Sequence, residues 1–104
     1  MTQPNPPSPA LRGAQRKWLR AQAHPLRPLV QVGDRGLTPS VVDAVDVALG
    51  DHELVKVRLL APPDKKALAE ALAAATHSHL CGLVGHTVIL YRPDPETPKI
   101  ELPE

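Results

Sequence analysis

Apolar residues recur along the chain in two rhythms, one helical and one alternating, and the switches between them set out an order of elements. From Ala10 to Ala23, Leu11, Ala14, Trp18, Leu19 and Ala21 lie on one side of a helical wheel. Arg12, Arg16, Lys17 and Arg20 lie on the other, which predicts an amphipathic helix with a basic back. His24-Pro25 ends it, because the residue before a proline is pushed out of the α region. Leu26 to Val32 reads as a short strand with Pro28 near its start, and Gly33-Asp34-Arg35-Gly36 follows as a tight turn.

A second helix opens after that turn. Thr38 is placed to cap its free amides and Pro39 suits its first position; Val41, Val42, Val45, Ala48 and Leu49 give it a wide apolar face ending at Gly50. Glu53 to Leu60 then alternates, with Val55, Val57 and Leu59 on one side and Leu54, Lys56 and Arg58 on the other, as a half-buried strand does. Pro62-Pro63 interrupts, and Asp64 can cap an alanine-rich helix to about Thr76, with Leu68, Ala69, Leu72 and Ala75 inward. Two apolar runs, His79 to Val84 and Thr87 to Arg92, flank Gly85-His86, the pattern of a type II′ hairpin. The order α-β-α-β-α-β-β predicts an α/β fold: a two-layer sandwich of three helices on a mixed four-stranded sheet whose last pair is antiparallel.

Proline bounds the domain within the 104 residues. Eight of the 13 prolines fall at the two ends, so residues 1–9 are expected to be a disordered tail, 10–93 the folded domain and 94–104 a flexible tail. Trp18 and Tyr91 are the only aromatic residues, so the core has to come from Leu, Val, Ile and Ala. A domain this small has little material for a deep enclosed pocket. Neither a secretory leader nor an apolar run near membrane-spanning length is present, and the lone cysteine, Cys81, suits a reducing compartment; the expectation is a cytoplasmic protein away from membranes.

Charge changes the picture more than composition does. Residues 1–36 hold six basic residues against one acid, and residues 37–104 hold six against ten, so a formal net charge of +1 conceals one cationic and one anionic part. The first helix carries four bases and no acid to pair with them, a field that an external polyanion would neutralise. Gly33-Asp34-Arg35-Gly36 sits between a strand and a capped helix. Its glycines let a sugar-phosphate backbone come close, and Arg35 lies at its tip. Asp34 has the option of bonding the turn's own amides. Arg27, Lys56 and Arg58 extend the candidate surface, although charged residues at such positions also serve simply to blunt an exposed sheet face.

Other chemistry finds less support. His77, His79 and Cys81 alternate along one strand and supply neither a fourth ligand nor the paired spacing of a zinc site, so no metal or other cofactor is expected. No nucleophile elbow, phosphate-binding P-loop or carboxylate pair beside a histidine is present; no catalytic residue is named, and neither enzymatic activity nor a small-molecule substrate is expected. With Trp18 expected in the core, Tyr91 is the one ring left for base stacking, which argues against an RRM-like reader. Recognition of backbone and shape by a basic surface and a glycine loop remains.

The segments "AHPLRPLVQVGDRGLTPSVVDAVDVAL", "HELVKVRLL" and "VGHTVILYRP" resemble the YhbY-type CRM family over nearly the whole domain. The resemblance rests on Ala23-His24-Pro25, Gly33-x-x-Gly36-Leu37-Thr38, His52-Glu53-Leu54, and Gly85-x-Thr87 running to Tyr91-Arg92. It implies a fold similar to the C-terminal domain of translation initiation factor three. It also implies RNA binding through Gly33, Asp34, Arg35 and Gly36, with Arg16, Lys17 and Arg20 as helix contacts. Bacterial proteins of this kind associate with rRNA in precursors of the large (50S) ribosomal subunit, so the expected role is a ribosome assembly factor. A more general structured-RNA or translation factor is the alternative, as is an adaptor whose proline tails and basic helix meet other proteins.

Overall fold

The computed structural model describes residues 11–103, so the expected disordered tail at 1–9 lies outside the described residues. Seven elements follow in the predicted order: α1 (Gly13–Ala23), β1 (Val30–Val32), α2 (Pro39–His52), β2 (Leu54–Leu59), α3 (Lys65–Ala75), β3 (His79–Val84) and β4 (Thr87–Tyr91). They form a four-stranded mixed sheet in the spatial order β1-β2-β4-β3. β1 runs parallel to β2, Val30 opposite Val57, while β4 lies antiparallel to both β2 and β3.

Local chemistry explains the boundaries, including those that differ from expectation. β1 is shorter than the Leu26–Val32 run because Pro25 and Pro28 have no N–H to donate, and the Leu26 N–H turns back to the Ala23 carbonyl. α2 starts as predicted, with the Thr38 hydroxyl accepting from the Val41 N–H and Pro39 in the first turn. It does not stop at Gly50. It runs on through His52, and Glu53 follows with a positive φ of 61°, a value that glycine adopts more readily than other residues. In the hairpin, Gly85 has φ 59° and His86 is not left-handed, which fits the predicted type II′ turn.

The sheet is covered on both faces. Against one, α2 and α3 bury an aliphatic cluster that includes Val45, Leu49, Val55, Val57, Leu59, Leu72, Val88 and Leu90. Each such side chain contributes about 1.5–3 kcal/mol by leaving water. Against the other, α1 buries Leu11, Leu19 and Ala23 with Leu54, Cys81, Ile89 and Tyr91. The two-layer arrangement thus describes α2 and α3, and α1 adds partial cover beyond it. Ala14 and Ala21 of the expected α1 stripe are exposed, and Ala73 takes the buried place expected of Ala75 in α3. The segment from Asp94 onward, expected to be free, is held by hydrogen bonds to Glu53.

Candidate nucleic-acid interface

Because β1 and β2 are adjacent and parallel, the loops that follow them emerge at the same end of the sheet. This is where α/β folds commonly bind ligands. The first is Gly33-Asp34-Arg35-Gly36, closed by a hydrogen bond from the Gly36 N–H to the Gly33 carbonyl at 3.0 Å. Gly36 has φ 69°, which explains that glycine; Gly33 is not left-handed. Nothing lies within 4 Å of where a Cβ would stand on either, so the loop faces open space. Asp34 and Arg35 are exposed, and the turn's own bond runs between the glycines, with no acceptance by the Asp34 carboxylate among the described hydrogen bonds. The second loop, Leu60 to Asp64, forms the opposite wall of a groove beside Gly33, Asp34 and Gly36.

Arg20, His24, Lys56, Val84, Thr87 and Ile89 line one depression, and Arg58, exposed on β2, stands opposite Thr87 in the register with β4. Arg12, Arg16 and Lys17 lie further back along α1, exposed, and Arg27 is exposed on the α1–β1 connector. Among the described residues the one ion pair joins Arg92 to Asp46, so the bases of α1 have no acidic neighbour within 4.0 Å. The candidates therefore divide between the two ends of the sheet: Arg35 and Arg58 stand at the loop end, Arg27 lies beside His52 and Leu54 at the opposite end, the α1 bases lie on the α1 face, and the α2 acids Asp43, Asp46 and Asp51 belong to a helix on the other face.

Three candidates also have structural partners. Lys56 Nζ donates to the carbonyls of His24 and Leu26, each at 3.1 Å, and so pins the connector. Arg20 Nη1 donates to the Cys81 carbonyl at 2.7 Å, and its aliphatic stem fills the space above Gly82, where a Cβ would come within 2.6 Å of Cδ. Arg16 Nη1 donates to the Leu11 carbonyl at 3.0 Å. Tyr91 is buried, 2% exposed, and stacks on His79 at 6.0 Å between ring centroids, so it offers no ring to a base. Burial, aided by Arg16, holds the His79 imidazole below its ordinary value, and burial pushes the Cys81 thiol up to about 12.

Lys65 and Lys66 were not singled out by the sequence pattern. They open α3 at the loop end of the sheet, where the helix dipole disfavours cations; Lys65 Nζ donates to the Gly85 carbonyl at 2.9 Å, and Lys66 is exposed. That mismatch of charge and dipole was the available signal. Among the described residues no three His, Cys, Asp or Glu side chains gather to hold a metal ion, and no helix is long and apolar enough to cross a membrane.

Residues 11–92 match the family model described as the CRS1 / YhbY (CRM) domain. A relative from Bacillus subtilis (strain 168), named "Probable RNA-binding protein YqeI", is 39% identical over 95 residues, covering 89% of this chain and 99% of the relative. A Haemophilus influenzae protein named "RNA-binding protein" is 36% identical over 91 residues, covering 86% and 91% respectively. The solution structure of the hypothetical protein SAV1595 from Staphylococcus aureus, described as a candidate RNA-binding protein, superposes with a TM-score of 0.79 at 38% identity. That match spans 90% of this chain and 100% of the other.

Proposed function

We propose, from the premise that the chain belongs to the CRS1/YhbY (CRM) domain family, that it is an RNA-binding protein acting on rRNA in precursors of the large ribosomal subunit. In this reading it is a non-catalytic assembly factor that works in the cytoplasm and needs no cofactor. RNA phosphates lie along the α1 face toward the β1–α2 loop. Arg12, Arg16, Lys17, Arg27, Arg35 and Arg58 supply charge, and Gly33 and Gly36 let the backbone approach.

The observation that carries the reading is the run of α1 bases that, among the described residues, has no acidic neighbour within 4.0 Å, together with a glycine loop that faces open space. The relatives' names add weight to RNA as the partner. Arg20 and Lys56 act mainly by holding α1 and its connector, because both are half-buried and their head groups bridge to β3 and to the connector, whereas Arg16 is exposed and bonds only the Leu11 carbonyl just before its own helix.

Sucrose-gradient fractionation of lysate with immunodetection tests the ribosomal part. The intact chain is expected with large-subunit precursors, and an Arg35→Glu, Gly36→Asp variant, checked for folding by circular dichroism, at the top of the gradient. If the intact chain stays among free proteins, the ribosomal role fails; if both co-sediment equally, the loop is not the contact.

A further inference from the structure

Glu53 is the one buried carboxylate or basic side chain among the described residues, 1% exposed, and it holds a positive φ of 61°. A non-glycine residue keeps that conformation only where its surroundings compensate. Here the compensation comes from the C-terminal segment. Glu53 Oε2 accepts the Asp94 N–H at 2.6 Å, and Oε1 accepts the N–H groups of Lys99 and Ile100 at 2.9 Å each. Asp94 Oδ1 accepts from Glu96 and Thr97 and turns the segment back. Ile100 and Leu102 then pack with Trp18 against the cluster under α1.

The far end of the segment touches the start of α1. Gln15 Nε2 donates to the Pro103 carbonyl at 2.9 Å, while its Oε1 accepts the Arg12 N–H at 2.9 Å. Arg16 is tied to the carbonyl of Leu11, whose side chain belongs to that same cluster. β4 ends at Tyr91 and the family match ends at residue 92, so this segment lies outside both.

We propose that Glu53 is a positioning residue: it latches Asp94–Pro103 as a strap that braces the first turn of α1, fixing Arg12 and Arg16 for RNA phosphates. The inference rests on the RNA-binding reading above. A strap that instead neutralised the helix would place Glu96 or Glu101 on an α1 base, yet among the described residues the only ion pair is Arg92 with Asp46. The contacts at α1 are apolar or made through a backbone carbonyl.

The test compares the full chain with Glu53→Gln, with a double variant Ile100→Ser, Leu102→Ser, and with a chain ending at Pro93. Trp18, the only tryptophan, reports strap docking through its emission, and the probe is a transcript of large-subunit rRNA titrated at several salt concentrations. All three altered proteins are expected to remain folded by circular dichroism and to show red-shifted Trp18 emission. Binding is expected to weaken about fivefold to tenfold, with a log-log salt slope shallower by about 1 to 2, the loss of one or two phosphate contacts. Ile100→Val alone should keep the intact chain's emission, affinity and slope, and Leu72→Ala, which loosens only the opposite face, should leave the slope alone. Unchanged slope and affinity despite the red shift, or tighter binding, overturns the brace, as does Glu53→Gln without a red shift. If the intact chain shows no salt-dependent binding at all, the RNA reading fails and the brace with it.

Discussion

On the α2/α3 face the sheet meets a continuous aliphatic cluster with acids on the α2 exterior; on the α1 face a smaller cluster is roofed by one helix whose exterior is basic. Leu72, Val45, Val57, Val88 and Leu90 are wholly buried on the first face, with nothing polar among them to orient. The second face uses polar contacts as fasteners: Arg20 on the Cys81 carbonyl, Lys56 on the connector, Gln15 on Pro103. Under the proposed function, stability and recognition are divided between the faces. The aliphatic layer holds the larger buried cluster, and among the described residues the basic layer carries charge without an ion-pair partner.

That division can be broken most sharply from the stable side. Leu72→Ala removes a fully buried side chain from the α2/α3 cluster and is expected to cost about 2–5 kcal/mol in urea unfolding. RNA affinity of the molecules that stay folded should not change. If affinity falls in proportion to stability, the faces are not separate.

A smaller effect is expected at Lys56, the cation with the most structural work. Lys56→Ala removes two contacts to carbonyls of the α1–β1 connector and should cost about 1 kcal/mol, with little change in the salt slope of RNA binding. A drop of a full unit in that slope would return Lys56 to the set of phosphate contacts.

The smallest concerns His79. Its folded value is depressed below the ordinary 6.5 by burial and by Arg16, so the folded state favours the neutral ring. The contribution is complete above the unfolded value and is lost as pH falls below about 6.5 through the folded value. His79→Asn should flatten a shallow loss of stability in denaturant titrations between neutral and mildly acidic pH. An identical pH profile in the variant would exclude His79 as its source.

The elements with one dominant signal were legible in the sequence. Thr38-Pro39 and Asp64 mark helix starts by cap chemistry, and Val55, Val57 and Leu59 mark the buried side of β2 by period. Gly33 and Gly36 could be seen as a loop, and α1 as a basic helix, because charge and glycine are local properties. What could not be read depends on long-range partners. Pro93, Pro95 and Pro98 signal only that regular structure ends, and nothing local reveals that a carboxylate forty-one residues before Asp94 would collect its amide. Leu54 alternates with Lys56 and Arg58, yet it is buried because α1 covers that part of the sheet. The phenol of Tyr91 lies beneath the same cover, so an aromatic residue that seemed free to stack on a base belongs to the core.

In the proposed function RNA contacts the α1 face and its adjoining loop, and not the α2/α3 face. Affinity for a large-subunit rRNA transcript, measured across salt for the intact chain, for Arg35→Glu and for Asp43→Lys on exposed α2, tests it most directly. A steep log-log slope near −3 to −5 is expected for the intact chain, with about tenfold weaker binding for Arg35→Glu and less than a twofold change for Asp43→Lys. Equal effects of the two charge changes, or a flat salt dependence in the intact chain, would contradict it.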